Sequence, residues 1–210
     1  MIRRVYVALL VLLTAVPLAA QTTKGWRLRV DRSENAADPD AAGAIRFVGT
    51  GSGFHATNPQ AATFWNPANT VVGDYTLKGT FTLMAPSPHV NYYGLVFGAG
   101  DLEGPRQNYL YFMVAQDGTW LIKHRSGNIS TQDLSARMPS DAVKTPDSRG
   151  KSTNTLEVRV KSSAIDYVVN GTVVHSTPRS GPTAKTDGVY GLRVNHLLEV
   201  QVDGFAISKQ

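Results

Sequence analysis

The sequence predicts an all-β protein in which two antiparallel sheets pack face to face as a jelly-roll sandwich. Three strand pairs follow one another in residues 154–207, and the Asn170-Gly171 pair between two β-branched runs suits the positive φ angles of a type I′ hairpin turn. Residues 74–84 alternate apolar and polar side chains with period two, which indicates a half-buried strand. No segment shows a sustained helical period of apolar positions.

Short apolar runs predict the strands that precede residues 74–84. They are separated by a polar loop, residues 33–43, and by a glycine-rich turn, residues 49–53. This turn lacks the following helix and the spacing of a phosphate-binding loop, so it predicts no nucleotide site. The predicted strands are residues 26–30, 44–48, 54–56 and 62–65.

Turn residues separate the strands that follow. Pro86 and Pro88 end the alternating strand, and Asp117-Gly118 joins two strands in a second hairpin. The polar segment 126–153 predicts a long crossover loop within one domain, not a linker between two domains. The strands predicted between these turns are residues 92–98, 108–116 and 120–125.

The first twenty residues have the pattern of an export signal. Two arginines precede an apolar run, and two alanines supply small residues before a cleavage site ahead of Gln21. A retained N-terminal anchor helix is the alternative, although the apolar run is short for a membrane span. We therefore expect a signal peptide in residues 1–20, a single domain in residues 21–210, and a periplasmic or extracellular location.

The charge of the chain is only mildly basic. It has 21 Lys and Arg against 16 Asp and Glu, a net charge of +5, and removal of residues 1–20 takes away two arginines and leaves +3. No stretch concentrates basic residues, which argues against a nucleic-acid partner. There is no cysteine, which excludes disulfides, thiolate metal sites and a cysteine nucleophile. We expect a monomer that makes no membrane contact once the signal is removed.

Several segments together carry a resemblance to a known superfamily: residues 74–81, the strand 93–98, the hairpin 109–123, and residues 154–158 with 169–171. Their strand rhythm and turns resemble the concanavalin A-like lectin/glucanase superfamily. The similarity is greatest to laminin G-like sandwiches and to the exported bacterial domain called 3-keto-disaccharide hydrolase. It extends over about residues 25–208 and implies a curved sandwich whose concave face or rim loops meet sugar.

The resemblance does not extend to the catalytic residues of these families. Family 16 glucanases on this fold carry Glu-x-Asp-x-x-Glu along one strand, and no such triplet occurs among the 16 acidic residues of this chain. The disaccharide-hydrolase-like domains have a strand of the form Tyr-Glu-x-Gln, whereas residues 109–113 contain no acid. The resemblance thus implies sugar binding more than it implies catalysis, and we assign no catalytic residue.

Asp101 and Glu103 lie two residues apart in one predicted loop. With Asn108 nearby, they could form a solvated turn, supply oxygen ligands to a calcium ion, or act as the acid pair of a glycosidase. The five histidines are scattered without metal-ligand spacing. The sequence therefore predicts neither a metal site nor a cofactor, with calcium at the acidic loop left open.

Polar and aromatic residues on the outer side of the predicted sheet form the candidate ligand site. If Leu110 and Phe112 point into the core, Tyr109 and Tyr111 lie on the opposite face. Tyrosine rings stack on sugar rings, and arginine and asparagine bind sugar hydroxyls. The alternative is that the tyrosines are present because they are good strand formers. The candidate ligand-binding residues are Tyr92, Tyr109, Tyr111, Arg125, Arg193 and Asn195.

Three functions remain open on the sequence. The leading hypothesis is a secreted glycan-binding sandwich without strong catalytic activity, with an oligo- or polysaccharide as partner. The first alternative is a glycoside hydrolase that acts on oxidised (3-keto) disaccharides through the Asp101 and Glu103 loop. The second is a cell-envelope module that uses the same outer face to bind another protein.

Overall fold

The computed structural model describes residues 21–128 and 130–209, so the predicted signal peptide lies outside the described residues. Sixteen strands and one short 3-10 helix, Gly181–Thr183, make up the regular structure of that part. The strands are β1 Gln21–Thr22, β2 Arg27–Asp31, β3 Arg46–Gly49, β4 Gly53–Asn58, β5 Ala61–Val71, β6 Tyr75–Ala85, β7 Tyr92–Gly100, β8 Asn108–Ala115, β9 Thr119–Ser126, β10 Ser130–Asp133, β11 Met138–Pro139, β12 Ser152–Val160, β13 Ala164–Val169, β14 Thr172–Pro178, β15 Gly188–Val194 and β16 Leu198–Lys209.

These strands form two sheets, which confirms the predicted all-β sandwich. The first sheet has the order β1-β3-β4-β16-β6-β12-β13-β14. The second has the order β10-β9-β8-β7-β15-β5-β2, and β11 pairs with β9. The recorded pairs are antiparallel except for the short parallel pair β1 and β3. Non-consecutive neighbours such as β16 and β6 are the crossovers of a jelly roll.

The core lies between the sheets and follows the period-two pattern of the sequence. On β6, Leu77, Phe81 and Leu83 are fully buried, whereas the alternating threonines are only half-buried. The outward Thr80 bonds Thr155 on β12, with 2.9 Å between the two hydroxyl oxygens. The predicted hairpin turn is confirmed, because Asn170 and Gly171 have φ angles of 50° and 86°. Among the described residues, no helix is long and apolar enough to cross a membrane.

Two segments differ from the sequence-based prediction. Strand β5 continues to Val71, beyond the predicted end at residue 65, and only the last of its six extra residues is buried. Strands β10 and β11 lie within the segment predicted as a crossover loop. Their six residues are all exposed, so they carry no alternation of apolar and polar side chains. Both segments are strands because they are hydrogen-bonded to β9. Backbone pairing of this kind produces no hydrophobic pattern that could be recognised in the sequence.

Candidate functional site

The second sheet carries a separate apolar cluster on the face that points away from the core. Alternate residues of β7 and β8 supply much of it, as the sheet period requires. Leu110 and Phe112 belong to the main core, and Tyr109 and Tyr111 belong to this outer-face cluster, so the predicted face assignment is correct. The members of the outer-face cluster are Trp65, Tyr92, Val96, Ala99, Leu102, Tyr109, Tyr111, Met113, Ala115 and Leu121.

The tyrosines of this face do not offer exposed rings, contrary to the sequence-based expectation. Tyr109 is 1% exposed and Tyr111 is 5% exposed. Their ring centroids are 5.5 Å apart, and the Arg193 guanidinium lies 5.4 Å from the Tyr111 ring centroid. Neighbouring side chains therefore cover the surfaces that a sugar would need for stacking. The alternation of residues along a strand predicts on which face of the sheet a side chain lies. It does not predict whether other side chains cover that face.

Arg193 is the polar centre of the outer face. It lies on β15, paired with Thr63 of β5, and its Nη1 donates to the Thr63 hydroxyl at 3.1 Å and to the Tyr109 phenol at 3.3 Å. The same Nη1 forms an ion pair with the Asp31 carboxylate at the end of β2. The side chains of Arg193 and Asp31 are only 11% and 14% exposed. A charge pair so far removed from water fixes the guanidinium in one position.

Burial and charge act in opposite directions on this group. Burial disfavours the guanidinium cation, but Tyr109 and Asp31 outweigh it, and they hold the pKa of Arg193 above its usual value. Burial also raises the pKa of Tyr111 to about 12, against the opposing effect of the Arg193 charge. The site therefore contains a permanent cation above the neutral phenol of Tyr111 at physiological pH.

A cavity of about 190 Å³ opens next to Arg193. It is smaller than the roughly 300 Å³ at which pockets for drug-sized ligands begin, so it suits a small polar group. Its wall consists of Asp31, Ser33, Asp38, Asp40, Ala61, Val90, Asn91, Tyr92, Arg137, Arg193, Asn195 and His196. The predicted ligand-binding residues Tyr92, Arg193 and Asn195 thus meet in one cavity, while Tyr109 lies beneath Arg193.

Three polar atoms of residues that line this cavity lack a hydrogen-bond partner among the described residues. They are the Arg193 Nε, a donor, and two acceptors, the Asn195 Oδ1 and the Asp38 Oδ1, and all three are buried. Buried polar groups are normally hydrogen-bonded, so an unpaired donor and an unpaired acceptor in one wall are unusual. Tyr92 is already engaged, because its phenol bonds Thr119 at 2.6 Å and Arg137 lies over its ring.

Arg125, the remaining predicted ligand-binding residue, lies in a neighbouring open groove of about 720 Å³, which shares Asp31 with the cavity. Its donors are used within the protein: Nε donates to the Gly127 carbonyl at 2.9 Å and Nη1 to the Thr131 hydroxyl at 3.1 Å. Arg125 therefore holds the turn after β9. Arg29 and Arg32 from the β2 end also line this groove.

The acidic loop proposed for calcium or catalysis is built into the structure as a turn. The Asp101 carboxylate accepts the backbone N–H of Arg106 at 2.9 Å, and Glu103 pairs with Arg27 at 2.6 Å. Arg29 donates to the carbonyls of Leu102 and Gly104 at 3.1 and 2.9 Å. Arginines thus anchor the loop. Neither acid lines the cavity or the groove.

A cluster of histidine and carboxylate groups lies at one end of the cavity. His89 Nε2 and His196 Nε2 are 3.2 Å apart, and Asp38 Oδ1 lies 2.8 Å from the first and 3.2 Å from the second. His196 Nδ1 is 3.0 Å from Asp40 Oδ1. Sequence reasoning missed this cluster because 107 residues separate the two histidines. The available signal was the polar Asn195-His196 pair directly after the apolar end of β15.

Comparison with solved structures identifies the fold. Carbohydrate-binding module CBM66 from Bacillus subtilis matches with a TM-score of 0.61 at 11% identity, over 91% of this chain and 99% of that chain. A Bacillus subtilis protein of unknown function with a galectin-like fold matches with a TM-score of 0.59 at 16% identity, over 89% and 90% of the two chains.

A third match is a GH16 protein of the mixed linkage glucan PUL of Bacteroides ovatus, in complex with its product. Its TM-score is 0.56 at 10% identity, over 87% of this chain and 94% of that chain. The chain matches no protein-family model and no curated protein sequence. These likenesses show that the chain has the jelly-roll sandwich fold of the matched structures and, at such low identity, they establish the fold alone.

Proposed function

We propose that this protein is an exported carbohydrate-binding β-sandwich that holds a sugar in the cavity beside Arg193. The observation that carries the proposal is the wall of that cavity, where a fixed guanidinium faces the unpaired Asn195 oxygen. Sugar hydroxyls donate and accept hydrogen bonds at once, so they complement a wall that offers both kinds of partner.

The size and position of the cavity agree with a saccharide ligand. About 190 Å³ accommodates a small ring-sized group, and the adjoining groove gives a longer chain room to continue past Asp31. The matched carbohydrate-binding module and the GH16 protein lend support. Both have names that refer to carbohydrates, and their matches extend over 91% and 87% of this chain. The export pattern of residues 1–20 supports a location outside the cytoplasm, where polysaccharides are met.

The way two acids of the cavity are used supports binding without strong catalysis. Asp31 is committed to its ion pair with Arg193. Asp40 accepts the backbone N–H of Ser33 at 3.0 Å and faces His196. Hydrolysis of a glycosidic bond needs one carboxyl group that holds a proton and a second that is ionised. Asp31 and Asp40 already have partners within the protein, and this favours binding over hydrolysis.

A glycan array probed with the chain from Gln21 onward, followed by calorimetry on the best sugar, tests the proposal. Asn195→Ala should weaken binding about tenfold, because an acceptor for a sugar hydroxyl is lost. Asn69→Ala, at a half-buried position of β5 outside the lining of the cavity and the groove, is the matched control and should bind as the wild type does. Absence of binding to any sugar, or equal binding by Asn195→Ala, would contradict the proposal. Measurable turnover of the bound sugar would favour the 3-keto-disaccharide hydrolase alternative.

A further inference from the structure

We propose that Asp38, His89 and His196 form a binding site for a divalent first-row transition cation such as zinc. The proposal does not depend on sugar binding, although Asp38 and His196 also line the cavity described above. Among the described residues, this trio is the one group of histidine and acidic side chains whose ligand atoms converge closely enough to hold an ion.

The distances between the three ligand atoms match those around a metal ion. The edges of the triangle formed by the two Nε2 atoms and Asp38 Oδ1 are 2.8, 3.2 and 3.2 Å. Ligand atoms about 2.0–2.1 Å from a tetrahedral zinc ion are separated by roughly 3.3 Å. The triangle therefore needs to open by roughly half an ångström or less to admit the ion.

The hydrogen-bonding roles leave the centre of the triangle rich in lone pairs. His196 Nδ1 donates to Asp40, so in the neutral ring its Nε2 carries a lone pair. Asn91 Nδ2 lies 2.9 Å from His89 Nε2 and donates to it, so this nitrogen is unprotonated, and its lone pair becomes available to a cation when the Asn91 amide turns away. A proton on one of the two Nε2 atoms could be donated to only one of the other two atoms of the triangle. The third atom would still lack a partner. A cation satisfies both nitrogens and the carboxylate together.

The Asp38 oxygen gives an independent indication of a missing ligand. Asp38 Oδ1 is buried and accepts no hydrogen bond within the described part of the chain, even though two histidine nitrogens lie within ion-pair distance. The two histidine nitrogens are thus close enough to Asp38 Oδ1 for a hydrogen bond, but their direction does not suit one. Leaving a buried carboxylate oxygen unpaired is unfavourable, and coordination to a metal would remove that penalty.

The surroundings hold the ligands as metal sites require. Asp40 fixes the ring of His196 through Nδ1, which is the carboxylate–histidine–metal arrangement found around bound zinc. The Asp38 loop is itself braced, because the Ser33 hydroxyl donates to the Asp38 carbonyl at 2.6 Å and the Ser33 N–H donates to Asp40. Two imidazoles favour zinc or a similar ion over calcium, which prefers six to eight oxygen ligands.

A fourth ligand can come from the protein or from the cavity. Asn91 Nδ2 also donates to the Ser87 hydroxyl at 3.1 Å. Turning this amide over would place its oxygen towards the ion, and Ser87 could then donate to it. A water molecule or a ligand hydroxyl in the cavity is the other source, because three protein ligands with one open position are typical of reactive zinc sites.

Zinc titration of the untagged chain from Gln21 onward, in competition with a chromophoric chelator, tests the proposal. We expect one zinc ion per chain and a rise in melting temperature with zinc but not with calcium. His196→Gln should weaken zinc binding at least 100-fold, and Asp40→Asn about 10- to 100-fold through the orientation of His196. His55→Gln is the matched control, because His55 also faces a carboxylate, Glu199 at 2.9 Å, and lacks a second histidine.

Asp38→Asn keeps the test valid should His196→Gln fail to fold, since Asp38 is 43% exposed on a loop. It should retain the fold by circular dichroism and bind zinc at least tenfold more weakly. The proposal is overturned if the wild type binds no zinc, if calcium binds equally well, or if Asp38→Asn binds as the wild type does. An equal loss of binding in His55→Gln would also overturn it, because the ion would then be held elsewhere.

Discussion

Replacing Arg193 by methionine should destabilise the protein by about 3 kcal/mol. The substitution keeps much of the side-chain volume and removes the cation, so the Asp31 carboxylate, 14% exposed, is left without its partner. Removing one member of a buried ion pair costs about 3–5 kcal/mol, and we take the lower end because Asp31 keeps some contact with water. For a domain of this size, 1 kcal/mol corresponds to about 2–4 °C, so the melting temperature should fall by about 6–12 °C.

Chemical denaturation followed by circular dichroism measures this loss. The matched control is Arg27→Met, because Arg27 and Glu103 form an exposed pair, 53% and 61% accessible, that should contribute less than about 1 kcal/mol. The double variant Arg193→Met with Asp31→Leu should recover most of the loss, since an apolar pair of similar volume can replace a buried ion pair. A loss below 1 kcal/mol in Arg193→Met, equal to that of the control, would refute the reasoning that the outer face buries this charge.

Other perturbations test further parts of the account. Tyr109→Ala should lower the free energy of unfolding by about 3–5 kcal/mol, because loss of its 1% exposed ring leaves a cavity. Unchanged stability would show that the Tyr109 ring is not buried. Burial raises the pKa of Tyr111 and Tyr167 to about 12. The stability that these neutral phenols contribute is therefore complete below pH 10 and is lost as the pH rises through 12. Ultraviolet titration should show two phenols that ionise only near pH 12. The double variant Asp101→Asn with Glu103→Gln should bind sugar within about twofold of the wild type, because neither acid lines the cavity; calorimetry that finds a loss above tenfold would give the loop a binding role.

Strand alternation was sufficient to predict the sandwich and the two faces of β8. On β8 the core side and the outer side were both assigned correctly from the sequence. The same reasoning failed for solvent exposure, since Tyr111 lies under Arg193 from a strand 82 residues further along the chain. The period-two pattern describes the side chains of a single strand. The solvent exposure of those side chains also depends on segments from other parts of the chain that pack over them.

The histidine cluster illustrates a different limit. Its ligands come from the loop after β2, the segment before β7 and the turn after β15. No short motif joins these segments, because the jelly-roll crossovers bring them together only in the folded chain. Metal-ligand spacing in a sequence finds sites built on one hairpin or helix, and it misses sites built between loops.

Mapping of amide chemical shifts tests the central claim, that the outer-face cavity binds carbohydrate, most directly. The ¹⁵N-labelled chain from Gln21 onward is titrated with the sugar that the glycan array selects. We predict concentration-dependent shifts at Asn91, Tyr92 and Asn195, with the exposed β14 residue Val173 unchanged as the internal reference. Shifts confined to the far sheet, or an array on which no sugar binds, would contradict the claim.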